Sequence, residues 1–165
     1  SLTMFERQIA DAGLNHTILR PAYFLSNWGG VAEVARGEGI LPSMLQPVDR
    51  KAHMIAPDDI GAAAADALLS PAGSGSIVNL TSPEDYSPAD VAAAFSRVLG
   101  RAVAPVAPPQ EAWHGILTAA GFSESYAAAL VEMYREINAG RLGFPPGEHL
   151  TRGVTTLDAA VQKLV

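Results

Sequence analysis

Between Leu2 and Trp28 the chain reads helix, glycine, strand, proline, and this order constrains the fold more than any other feature of the sequence. Leu2, Phe5, Ile9 and Ala12 recur at spacings of three and four, which places them on one helical face. Gly13 supplies a left-handed stop. The β-branched, apolar run His16 to Arg20 follows and is closed by Pro21, the pattern of a buried strand. A helix handed directly to a strand is half of an αβ unit.

The alternation continues. Phe24 to Arg36 reads as a helix broken at Gly29-Gly30, and Gly37 to Gln46 as irregular. His53-Met54-Ile55 is strand-like, and Asp59 is placed to cap an alanine-rich helix from Ile60 to Leu69, small enough in its side chains to pack closely on a sheet. Pro71 to Gly75 reads as a turn into a third strand, Ile77 to Leu80. Ser87-Pro88-x-Asp90 carries the marks of an N-cap with proline in the first turn and a capping-box acid, opening a helix with Val91, Phe95, Val98 and Leu99 inward. Val103 to Ala107 is a fourth strand. Pro108-Pro109 then starts a helix through Trp113, Ile116, Leu117 and Ala120, and Ser123 caps another with Tyr126, Leu130, Met133, Tyr134 and Ile137 inward. Residues 141–150 read as a loop, and Thr155 to Asp158 caps a terminal helix. The expectation is an α/β chain with about four short strands and a helix-rich carboxyl-terminal part.

Composition narrows the function. The 165 residues carry 11 basic and 17 acidic side chains and a net charge of −6, with no basic cluster, which argues against nucleic acid as a partner. No apolar run approaches the roughly 20 residues of a spanning helix, so the chain is expected off the membrane and in the cytoplasm. Cysteine is absent, which removes disulfides and thiol nucleophiles. His16, His53, His114 and His149 are too dispersed for a metal site. No G-x-S-x-G elbow is present, and Gly29-Gly30, Gly37-x-Gly39 and Gly73-x-Gly75 lack the spacing of a phosphate cradle. Asp58-Asp59 reads either as a carboxylate dyad or, for Asp59, as a helix cap.

One stretch is specific. Glu6 to Trp28, E-R-Q-I-A-D-A-G-L-N-H-T-I-L-R-P-A-Y-F-L-S-N-W, resembles the NmrA-like branch of the atypical, extended short-chain dehydrogenase/reductases, in which a helix ending in Gly-Leu leads to a strand T-I-L-R-P and then an aromatic-rich turn with asparagine. Pro57 to Leu68, Ile77 to Ala92, Leu99 to Val103 and Thr151 to Val161 are similar to further elements of that family, so the resemblance covers essentially the whole chain.

The resemblance implies a partial Rossmann-like sheet with a helix-rich substrate-side subdomain. Residues 1–36 and 57–100 would be the remnant of the dinucleotide-binding sheet and its helices, and residues 37–56 and 101–165 the substrate side, in a single domain. It implies that a parent protein binds NAD or NADP and reduces a small carbonyl or quinone. The glycine-rich loop and the Tyr-x-x-x-Lys tyrosine of the family would precede Ser1. This chain by itself is therefore expected to bind no dinucleotide and to be inactive, and its catalytic residues are unknown. The alternative is a non-enzymatic dinucleotide-sensing or protein-binding module of the same family.

Carried over by position, Pro21, Ala22, Tyr23 and Phe24 would border the nicotinamide, and Phe24, Asn27 and Trp28 would face the substrate, with His53 pointing into the same cleft. Phe24 and Trp28 also fit a core pair four apart, Asn27 a cap at the Gly29 break, and His53 a structural strand residue. In relatives Thr17 to Arg20 pairs with Ile77 to Leu80 on one side and with a strand absent from this sequence on the other. An open edge of that kind implies a homo-oligomer.

Overall fold

The computed structural model describes residues 2–69 and 75–165. In chain order the elements are α1 (Leu2–Asp11), β1 (Thr17–Pro21), β2 (Tyr23–Phe24), a 3-10 segment (Leu25–Val31), α2 (Ala32–Glu38), β3 (Ile40–Pro42), β4 (Met54–Ile55), α3 (Pro57–Leu69), β5 (Ser76–Thr81), α4 (Pro88–Leu99), β6 (Ala104–Val106), α5 (Trp113–Ala119), α6 (Glu124–Asn138), β7 (Leu150–Arg152) and α7 (Leu157–Gln162). The architecture is α/β with parallel strands throughout the named sheets, as the alternation implied.

β1, β5 and β7 form a three-stranded sheet with β5 in the middle; β1 pairs with β5 as expected, in a register that sets Thr17 opposite Ser76, Ile18 opposite Ile77 and Arg20 opposite Asn79. β2 pairs with β4, and β3 with β6. All four expected strands form, and β2, β3 and β7 join them. Each of the three was hidden by its length. The sequence pattern starts a helix at Phe24, makes Ile40 to Pro42 irregular and puts Leu150 in a loop. Strands of two or three residues carry no periodicity of their own and exist only because a partner strand supplies hydrogen bonds. The turn expected at Pro71 to Gly75 lies outside the described residues apart from Gly75.

Caps bear out the sequence more closely than interiors do. Ser87 Oγ accepts from Asp90 N at 3.1 Å while Ser87 N donates to Asp90 Oδ2 at 2.8 Å, with Pro88 at the first helical position. Burial alone would raise the Asp90 carboxyl, but the Ser87 bonds, with Lys51 and Arg97 nearby, hold it below its usual range. Ser123 caps α6 and Thr156 caps α7. On α6 the expected Leu130, Tyr134 and Ile137 pack against the cores together with buried Ala127 and Val131, but Tyr126 is exposed, as is Ile116 on α5. The α5–α6 hairpin is narrow, so its small core of Trp113, Leu117, Ala127 and Val131 seats only part of each apolar face.

Asp59 departs from its expected role. Proline suits the first helical position, so α3 opens at Pro57 rather than Ile60, and Asp59 lies inside the first turn. Its carboxylate accepts from Thr155 N at 3.1 Å and Thr155 Oγ1 at 2.8 Å. Two donors on one buried carboxylate pin the segment between β7 and α7. Gly153 packs so closely on this carboxylate that a Cβ there would overlap it. Asp58 faces outward and pairs with Lys163, so the two acids do not form a dyad.

The main core gathers Leu25, Trp28, Leu41, Met54, Val91, Phe95, Leu157 and Val161 between α4, α7 and the short strands. At the opposite end, beside α1 and β1, an open groove of about 590 Å³ is lined by Glu6, Leu14, Ile18, Arg20 and Ile77 among others. There Arg20 forks onto Glu6, whose carboxyl the resulting hydrogen bonds hold below its usual range.

Two outcomes follow from these contacts. Replacing Ser87 with alanine removes one half of the capping box and is expected to lower stability by about 1 kcal/mol, read as a shift of the denaturation midpoint at unchanged slope. Gly153→Ala forces a methyl group into the Asp59 carboxylate and is expected to cost about 1–3 kcal/mol in the same measurement. A neutral result at Gly153 would remove the pinning role assigned to Asp59.

Candidate active site at the carboxyl ends of the strands

Because β1, β5 and β7 run parallel, their carboxyl ends share one rim, the place where open α/β sheets bind ligands. β1 leaves the sheet through Pro21 and Ala22, whose N–H donates to Leu80 O at 2.9 Å. The chain then enters β2, which lies against β4. Met54 O accepts from Ser82 N at 2.5 Å and from Thr81 Oγ1 at 3.2 Å, joining β4 to the end of β5. Gly153 N donates to Thr81 O at 2.7 Å and brings in the end of β7. Segments distant in sequence are thus tied to one rim by backbone bonds.

Side chains alternate across a strand, so the register of β2 on β4 sorts the expected site residues onto two faces. Tyr23 and Met54 share one face and pack against the main core. Tyr23 meets the Trp28 ring edge-on at 6.1 Å, and its hydroxyl lies 3.1 Å from that of Tyr134 on α6. Burial pushes the Tyr23 phenol well above its ordinary value of 10.0, the Tyr134 phenol adds to this, and the Asn27 amide pulls weakly the other way. Tyr134 is raised as well, chiefly by burial. Both phenols therefore stay protonated across the physiological range. Trp28 is 4% exposed and belongs to the core, with Nε1 unpaired among the described residues.

Phe24 and Ile55 occupy the other face. Carrying the alternation back one residue adds Ala22 and His53. Its Nδ1 lies 2.8 Å from Asp85 Oδ1, and its ring packs on Phe144 at 5.7 Å between centroids. Arg152 Nη1 approaches the same Asp85 oxygen at 3.5 Å and donates to Ser82 O and Pro83 O. Phe24 is 39% exposed, and Pro21 and Asn27 are also at the surface. The rim thus brings Pro21, Ala22, Phe24 and His53 together, and turns Tyr23 and Trp28 inward behind them.

Asp85, Arg152 and Tyr134 complete these two clusters and were absent from the residues expected at the site. Asp85 and Arg152 lie in segments matched to the family, but no local pattern relates His53 to residues 32 and 99 positions away. Tyr134 was placed on an inward helix face with no sign that its hydroxyl would meet another.

A dinucleotide needs two things of such a rim: a wall for the nicotinamide and a helix amino terminus opened by glycines for the pyrophosphate. Pro21 to Phe24 are suited to the first. For the second, β1 runs into β2, β4 into Ala56-Pro57, and β5 into a loop that ends at the Ser87 cap of α4, with no glycine-rich turn at these three junctions. Among the described residues no group of three or more His, Cys, Asp or Glu is arranged to hold a metal, and no helix is long and apolar enough to cross a membrane.

Comparison with known proteins agrees with this geometry. The chain is 32% identical over 130 residues to an NAD(P)H azoreductase of Xenophilus azovorans, a match that covers 78% of this chain and 44% of the relative. Among solved structures it superposes on an NADPH-dependent quinone oxidoreductase of Escherichia coli with a TM-score of 0.81 at 22% identity, covering 98% of this chain and 59% of that one. The Citrobacter triphenylmethane reductase in complex with NADP(H) gives a TM-score of 0.81 at 20% identity, covering 97% and 57%. The chain spans about half the length of these relatives. Residues 3–158 match the profile of the NmrA-like family, and the chain belongs to that family.

Proposed function

We propose that this chain is the substrate-side portion of an NAD(P)H-dependent oxidoreductase that reduces a small quinone or carbonyl compound. The observation that carries the reading is the shared rim, where parallel strand ends deliver Pro21 to Phe24 and His53 to one place. The activities of the relatives, an NAD(P)H azoreductase, an NADPH-dependent quinone oxidoreductase and a triphenylmethane reductase, support that substrate class. Residues 1–36 and 57–100 would then carry the remnant of the dinucleotide-binding sheet, and residues 37–56 and 101–165 the substrate side.

Within this reading Pro21, Ala22 and Phe24 form an apolar wall that orients a flat ring and excludes water from one side of it. His53 supplies a hydrogen-bonding group at its border, while Asn27 bonds to Tyr23 behind it. Tyr23 and Trp28 support the wall from behind, so their role is to keep the turn in place. Hydride is the chemistry a bound nicotinamide supplies. With no pyrophosphate cradle at these strand ends, the 165-residue chain alone is assigned no turnover. Its setting is proposed to be cytoplasmic. A non-enzymatic, protein-binding role is the second reading, favoured by the groove along β1.

Calorimetric titration separates the parts of this proposal. NADPH is expected to give no micromolar binding to the isolated chain, and a micromolar dissociation constant would overturn the view that a cradle outside it is indispensable. A soluble naphthoquinone is expected to shift the amide resonances of residues 21–28, and shifts confined to other regions would overturn the placement of the substrate.

β1 has β5 on one side and no strand on the other among the described residues, and Ile77 beside it is 48% exposed. We assign this edge to self-association. Light scattering at high concentration is expected to show a dimer or larger species. A monodisperse monomer whose Thr17 to Arg20 amides are fully protected from exchange would refute the assignment.

A further inference from the structure

The His53 ring is held by Asp85 and Phe144, and Arg152 in turn holds Asp85. Asp85 Oδ1 fixes Nδ1 at 2.8 Å, and Arg152 Nη1 lies 3.5 Å from that same oxygen while bonding to Ser82 O and Pro83 O at 3.1 Å each. Phe144 lies against the imidazole with 36° between the ring planes. Nε2 makes no hydrogen bond within the described residues, and the side chain is 34% exposed. An imidazole restrained in this way, beside the Ala22 and Phe24 wall, has a single polar atom to offer a ligand.

We propose that His53, positioned by Asp85, binds the reacting oxygen of the substrate: Nε2 donates to a quinone or carbonyl oxygen when the ring is protonated and accepts from the corresponding hydroxyl when it is neutral. This rests on the substrate class proposed above. A carboxylate only accepts hydrogen bonds, so the proton on Nδ1 is retained in both states of the ring. The neutral ring therefore presents a lone pair at Nε2, and the charged ring presents N–H. The quinone oxygen can only accept and so needs the N–H of the charged ring, whereas the hydroxyl donates to the lone pair of the neutral ring and is only a weak acceptor for the charged one.

The charged groups facing the ring are Asp85, on the segment after β5, and Arg152, on β7. Ala22, Phe24 and Phe144 present no charge. Glu148, in the same loop as Phe144, bonds instead to Asn79 Nδ2.

The consequence is a pair of binding curves with opposite slopes. In anaerobic titrations of the full chain, 1,4-naphthoquinone is expected to bind about tenfold more tightly near pH 5.5 than near pH 8, and its reduced 1,4-diol less tightly. The diol's own ionisation, at about 10 as for a phenol, lies outside this window. The His53 ring protons, followed by NMR, are expected to shift with both ligands and to titrate in step with the affinity change. His53→Gln retains a donor and an acceptor and is expected to bind both ligands with no pH slope. Asp85→Asn keeps the shape but frees the Nδ1 proton, and is expected to flatten both slopes. Shifts at residues 21–24 with equal slopes for the two ligands, or with slopes unchanged in His53→Gln, would overturn the role of His53 and leave the proposed function standing. The absence of any shift at residues 21–28 and 53 would overturn both.

Discussion

The main-chain carbonyl of Met54 is the point through which the site is assembled. It takes donors from Ser82 N and Thr81 Oγ1 at the end of β5, while its own strand carries β2 on the other side. Two residues of strand cannot sustain themselves in water, since one or two ladder bonds do not offset the ordering of the backbone. They persist because Met54 is fully buried and the alternative is an unpaired carbonyl inside the core. The direction of Tyr23, Phe24 and His53 is therefore set by tertiary burial.

That dependence gives the rim two different sides. The inward side is dry and aromatic, and its two phenols are held in the neutral form by burial. The outward side carries an acid, a guanidinium and an imidazole in contact with solvent. A conjugated substrate lying on Phe24 would have apolar support beneath it and an ionisable group at its border.

Local chemistry was readable wherever a few neighbouring residues decide the outcome. Ser87, Pro88 and Asp90 announce their capping box in four residues, and β1 and β5 announce themselves by β-branched runs long enough to show a pattern. The likeness around T-I-L-R-P gave β5 as the partner of β1 as well, though not the residue register. What escaped is non-local. Asp59 looked like a cap because its partner, Thr155, is 96 positions away, and the His53–Asp85 pair depends on a strand of two residues. Phe24 and Trp28 fitted either a pair facing the substrate or a core pair four apart on a helix, but β2 and the 3-10 segment give that stretch a different period, so Phe24 is exposed and Trp28 lies in the core.

The aromatic rings behind the rim form a continuous series. Trp28 meets Tyr23 at 6.1 Å, Tyr23 meets Tyr134 at 6.4 Å, and Tyr134 meets Trp113 at 6.2 Å, so the main core and the α5–α6 hairpin are joined ring to ring. Both tryptophans of the sequence stand at the ends of this series. The molecule thereby carries an optical gauge: excitation energy passing from the two tyrosines to either indole, and the indole emission itself, depend on how the hairpin sits against the core. Any displacement of the hairpin must open one of these three contacts, and the emission would register it without an added label.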